Sequence, residues 1–174
     1  MIIEGKKLQT TKCKNVSIPE GLDIIKKLEE ELLNSNVSGI GLAAPQIGID
    51  ASVFILRFPR SFNPDPYADL TLNVINPEIK DSENLSLFKD EGCLSFAGKR
   101  VTTKRYENIY AVDALHEAGV ILTGMWSVAY QHEFDHTLGL TMYNKEVKLR
   151  PNDQCFCGSG KKYKKCCINK FVII

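Results

Sequence analysis

The sequence contains no run of the roughly 20 apolar residues that a membrane-spanning helix requires. Its opening, MIIEGKKLQTTK, has no apolar stretch behind a basic one and does not read as a signal peptide. These two absences predict a cytoplasmic protein in a reducing compartment. There, six cysteines read as metal ligands or bystanders before they read as disulfides. Internal repeats are absent. Histidine is scarce, with three in 174 residues, so each can be weighed individually.

Net charge is nearly absent as well, at +1, but its distribution is uneven. Residues 150–170 carry Arg150, Lys161, Lys162, Lys164, Lys165 and Lys170 against Asp153 alone, which leaves a mildly acidic body. Four of the cysteines lie in that basic stretch. The shift predicts a body over 1–149 and an appendage over 150–174. With 44% hydrophobic and 25% charged residues, the body is of ordinary globular composition. Ser17-Ile18-Pro19-Glu20 resembles a capping box. Leu22, Ile25, Leu28 and Leu32 follow at helical spacing, predicting a helix of about four turns. SVFILRF, LTLNVI, KRVTTKR, NIYAVDAL and GVILTG read as strands, with HEAG as a hairpin turn between the last two. A second helix runs from near Met125 to a stop near Gly139. One helix, a run of antiparallel strands and then another helix predicts an α+β fold.

The second helix contains QHEFDH. Positions i and i+4 share a helix face, so His132 and His136 can grip one metal ion with Glu133 beside it. A catalytic site commonly has three protein ligands and one open position. The candidates for the third are His116 in the hairpin turn, Cys13 near the N-terminus, and Cys93 in EGCLS. Cys93 is favoured, because Gly92 lets the backbone come close to a site and soft metals take thiolate and imidazole. A further stretch, GIGLAAPQIG over Gly39–Gly48, has the small residues that close approach to a ligand requires, with one amide, Gln46.

Taken in order, GIGLAAPQ, EGCLS and HEFDH resemble the three motifs of the peptide deformylase family, and Asn76-Pro77-Glu78-Ile79 resembles its INPxI stretch. The resemblance covers roughly residues 8 to 145. It implies antiparallel sheets around a metal-bearing HExxH helix, and hydrolysis of the N-formyl group from newly made polypeptides, with release of formate. It implies metal ligation by Cys93, His132 and His136, with Fe²⁺ expected and Zn²⁺ or other divalent ions possible. Glu133 would be the general base, and Gln46 with the Leu94 N–H would hold the oxyanion. The peptide would pair along Ile40 and Gly41 and face Arg100, with Met125, Val128 and Ala129 around its methionine side chain.

There are departures. Ala97 stands where the family often has proline, and Lys89 stands where an apolar pocket wall is expected. Thr137–Leu149 shows no helical pattern in place of the family's common C-terminal helix. The chain continues instead with PNDQCFCGSGKKYKKCC. Its Cys155, Cys157, Cys166 and Cys167 supply the four thiolates of a closed zinc site. The stretch resembles the SEC-C motif, which implies a Zn²⁺-binding tail docking to a protein partner or the translating ribosome; the alternative is a tail that caps the core in place of the missing helix. Two other readings stand beside this one. A small HExxH metallopeptidase would take its third ligand downstream of the helix, where only tail cysteines are available. A non-catalytic ribosome- or protein-binding adaptor would not need every catalytic position filled, as it is here.

Overall fold

A computed structural model describes residues 1–35, 39–58 and 70–168. Lys170, counted above in the basic tail, lies outside them. Helix α1 spans Ile18–Asn34. Ser17 caps it by accepting from the Glu20 N–H at 3.4 Å, and Pro19 in the first turn costs no hydrogen bond. Ile24, Ile25, Leu28 and Leu32 form its buried face. Leu22, expected on that face, is 42% exposed and Ile24 takes its place. Gly21 lies so close to Ile75 that a Cβ there would sit 2.5 Å from the isoleucine, and this close approach turns Leu22 outward.

Strands β1 (Gly41–Ala43), β2 (Val53–Phe58) and β3 (Leu70–Ile75) form an antiparallel sheet in that order. The near-continuous apolar run of β2 reflects burial on both faces. Val53 and Ile55 pack with α1, whereas Phe54, Leu56 and Phe58 pack in a second cluster on the other side. Strands β4 (Glu78–Gly92), β5 (Arg100–Val112) and β6 (Val120–Thr123) form a second antiparallel sheet, also in chain order. Helix α2 (Gly124–Thr137) lies between the sheets, with Ala129 and Tyr130 joining Phe54, Leu56, Ile109 and Ala111 in one cluster. Gly139 follows at φ 74° as the expected C-terminal glycine. A Cβ there would meet the Thr10 backbone at 2.4 Å.

The α+β prediction and the two helices agree with this architecture. KRVTTKR and NIYAVDAL, read as two strands, are one, and β4 was not foreseen. Among the described residues no helix follows α2 except single 3-10 turns, and residues 145–147 instead pair with β5. The Val147 N–H donates to the Thr102 carbonyl at 2.8 Å, and the Lys104 N–H to that of Lys145 at 3.0 Å. No described helix is long and apolar enough to cross a membrane.

Candidate functional site

Helix α2 buries unusual cargo: Gln131, His132, Glu133, Asp135 and His136 are all less than a tenth exposed. Buried polar groups of this kind need partners. Gln131 stitches the helix to β5, accepting from the Tyr106 N–H at 3.0 Å and donating to the Tyr106 carbonyl at 2.8 Å. His132 presents Nδ1 to the Glu91 carboxylate at 2.8 Å. That bond orients the ring, and its other side meets the Cys93 thiol. The His136 ring is anchored by the Leu140 backbone, and its Nε2 lies 3.3 Å from the Cys93 Sγ.

Cys93, His132 and His136 thus bring one thiol and two imidazoles together, with ligand atoms all within 4.8 Å of one another. A tetrahedral ion with ordinary zinc bond lengths places sulfur and nitrogen about 3.6 Å apart, so the trio fits one ion with an open fourth position. The Glu133 Oε2 beside it is buried without a hydrogen-bond partner, which marks the open position as a place for a further oxygen ligand. Burial pushes the Glu133 carboxyl up to about 7. Burial alone would lower His132, but its bonds to Cys93 and Glu91 outweigh that and raise it well above the ordinary imidazole range. Cys13 and His116 stand apart. The Cys13 thiol is buried and pushed up to about 11 by that burial, and His116 is held in its turn by Asp113 at 2.8 Å.

The first motif supplies the other wall. The Ala43 N–H donates to the Gln46 Oε1 at 2.9 Å, which turns the Gln46 NH₂ toward the Cys93 Sγ at 3.5 Å and the Ser95 Oγ at 3.2 Å. The Leu94 N–H opens a single 3-10 turn and has no acceptor within it. A Cβ on Gly41 would sit 2.5 Å from the Glu133 Oε1, so only glycine leaves room for that carboxylate.

A cleft of about 460 Å³ opens over this cluster. Ile40, Gly41 and Gln46 line one side, and Cys93, Leu94 and Arg100 another. Met125, Val128, Ala129, His132 and Glu133 form its floor. His136 lies behind, 2% exposed. Strand β1 is the edge of its sheet, so its outer side can pair with an extended chain. One expectation is corrected. A bulge between Phe88 and Glu91, with Asp90 at φ 60°, carries Lys89 out to the exposed surface and puts Phe88 and Asp90 in the wall instead.

The residues missed from the sequence form the layer beneath. Arg105, 1% exposed, donates twice to Glu91 (2.9 and 2.6 Å) and once to Asp135 (2.6 Å). Thr103 donates to Glu91 at 2.5 Å. Burial by itself would raise Glu91, but the Arg105 and His132 hydrogen bonds hold it well below the usual carboxylate range. Glu91 and Asp135 stood inside the quoted motifs. Arg105 had no local signal, because only the β4–β5 register delivers it.

The tail holds a second cluster. The Cys157 Sγ lies 3.5 Å from both the Cys155 and Cys166 sulfurs, and Cys166 lies 3.7 Å from Cys167. Zinc bound by four thiolates sets sulfurs about 3.8 Å apart. Its lysines at 161, 162, 164 and 165 are exposed.

The polypeptide deformylase family matches residues 3–152, and the SEC-C motif matches 152–169. The chain is 36% identical to a peptide deformylase of Aquifex aeolicus over 136 residues, 72% of this chain and 78% of that protein. It is 35% identical to one of Thermodesulfovibrio yellowstonii over 158 residues, 86% and 92% of the two. The crystal structure of peptide deformylase from Thermotoga maritima superposes with a TM-score of 0.66 at 26% identity, covering 85% of this chain and 97% of that one. That from Plasmodium falciparum superposes at 0.72 with 23% identity, covering 85% and 87%. On this fold, with this match over most of its length, the chain belongs to the polypeptide deformylase family.

Proposed function

We propose that Cys93, His132 and His136 hold one divalent ion, Fe²⁺ or Zn²⁺, at the floor of the cleft, and that the residues around it carry out the family's reaction, removal of the formyl group from new polypeptides. The observation that carries this reading is the buried, unpartnered Glu133 Oε2 beside a three-ligand cluster. When bound, the ion acidifies a water and polarises the formyl carbonyl. Glu133 takes a proton from the attacking water and returns it to the leaving amine, for which a carboxyl near neutrality is suited. The Gln46 NH₂ and the Leu94 N–H face the developing oxyanion. The extended substrate pairs along Ile40 and Gly41 and meets Arg100. Its methionine side chain enters the apolar space bounded by Phe88, Met125, Val128 and Ala129.

The same reading divides the chain into a catalytic body over 1–149 and a zinc-holding tail over 150–174. Ser159 holds the Cys157 thiol down to about 6, whereas burial pushes Cys167 up to about 12. A cation at the centre of the knot would let all four ligate as thiolates. The exposed lysines at 161, 162, 164 and 165 make the tail an attachment point for the polyanionic surface of a translating ribosome. The test is formate release from a formyl-Met peptide by anaerobically purified protein. Hydrolysis of an internal peptide bond without formate release would point to a metallopeptidase. Ribosome binding without any hydrolysis would point to an adaptor.

A further inference from the structure

The catalytic wall is built on the end of the β4–β5 hairpin that lies beyond the rest of its sheet. β6 pairs only with residues 108–111 of β5, so over 100–104 the partners of β5 are β4 and residues 145–147. An end of a hairpin this sparsely paired depends on what packs against its faces. Side chains alternate along it. Ser86, Phe88, Thr103 and Arg105 face the cleft and α2, whereas Leu85, Leu87 and Lys104 face outward. Leu85 on that outer face is 38% exposed, but Leu87 two residues on is 1% exposed.

The difference is cover from the tail and from the segment that leads into it. Leu87 belongs to neither body cluster and packs with Cys155, Tyr163 and Cys167, backed by Val147, Leu149 and Phe156. Lys104, opposite Leu87 in the ladder, places its Nζ 5.7 Å from the centre of the Phe156 ring. Two of the four clustered thiols therefore lie in the apolar contact itself. The backbone bonds of the knot, such as Cys155 N–H to Lys161 carbonyl at 2.8 Å and Tyr163 N–H to Asp153 carbonyl at 2.8 Å, are internal. A knot this small keeps its shape through its metal.

We infer that the metal-filled tail is a brace on the outer face of the β4–β5 hairpin, and that Leu87 is a positioning residue acting through its neighbour Phe88 on the substrate pocket. The activity arm of the test rests on the deformylase reading above; the exchange arm does not. In the full chain, with the body site loaded, two changes break the brace from opposite sides. Cys157→Ser with Cys166→Ser opens the knot at its exposed edge. Leu87→Ala leaves the knot and removes its seat. Both should raise amide exchange over residues 85–92 by about tenfold or more. Both should raise KM for a formyl-Met tripeptide about threefold with kcat within about twofold, because the wall loosens while Arg105 still holds Glu91. Leu87→Met should restore both readouts. Wild-type exchange and KM in both variants would overturn the inference, as would a fall in kcat with unchanged exchange. If the wild-type chain released no formate, the deformylase reading would fail and exchange alone would decide the brace.

Discussion

At the scale of single residues, the proposed chemistry turns on where one carboxylate is allowed to stand. Glu133 is buried, lacks a partner for one oxygen, and rests on a glycine that has no room for a side chain. Glu133→Ala should retain the body's metal while cutting turnover at least 10²-fold, the usual contribution of a positioned base. Elemental analysis together with formate release reads both, and wild-type turnover would remove the assigned role. Gly41→Ala should act through the same atom. Its Cβ displaces the Glu133 carboxylate, so kcat should fall about tenfold or more with the ion still bound. Unchanged kcat would mean that the carboxylate moves aside at no cost to the chemistry. Both residues stand in motifs quoted from the sequence, but there Gly41 reads as a backbone partner for the peptide and not as the space that Glu133 fills. Phe88 and Asp90 were not legible as pocket wall. The bulge that swaps them for Lys89 arises where Phe88 pairs with Thr103 but Glu91 with Val101.

At the scale of elements, α2 and β5 are locked by a buried ion cluster. Arg105 lies between Glu91 and Asp135, so one guanidinium fixes the carboxylate that orients His132 and ties the sheet to the helix. Removing one partner of a buried pair leaves an uncompensated charge, which typically costs about 3–5 kcal/mol. Arg105→Ala should therefore lower the melting temperature by about 10 °C or more. It should also weaken retention of the body's metal, since His132 loses its fixed orientation. A melting curve within a few degrees of wild type would show that the two carboxylates find other partners. This cluster explains what sequence reading could not reach. α1 announces itself by apolar periodicity and β2 by its continuous apolar run, because both face the core. β4 carries SENLS and KDEG on a half-exposed edge and has no periodicity strong enough to stand out. Arg105 in TTKRY resembles any surface arginine until 30 residues of intervening chain bring Asp135 beneath it.

For the whole molecule, the question is what a basic tail with a four-cysteine cluster adds to a deformylase body. Its two faces differ. The apolar one, with Cys155, Tyr163 and Cys167, seats on Leu87, and the other carries lysines 161, 162, 164 and 165 into solvent. A brace and an address are therefore compatible, because one uses buried apolar residues of the knot and the other its exposed lysines. The full chain should hold two metal ions, one per cluster, and exchanging the tail cysteines for serine should remove one of them without touching the other. Charge reversal of the four lysines tests the address separately, since all four are exposed to solvent. The reversed protein should keep the wild-type melting temperature and KM yet stop pelleting with ribosomes. Four phosphate contacts give wild-type binding a steep salt dependence, a loss of about 50- to 150-fold in affinity between 50 and 200 mM salt. The slope should flatten as lysines are reversed one at a time, by roughly 0.7–0.9 for each phosphate left without its lysine. Equal pelleting of wild-type and reversed protein at low salt would defeat the address and leave the tail with the brace alone.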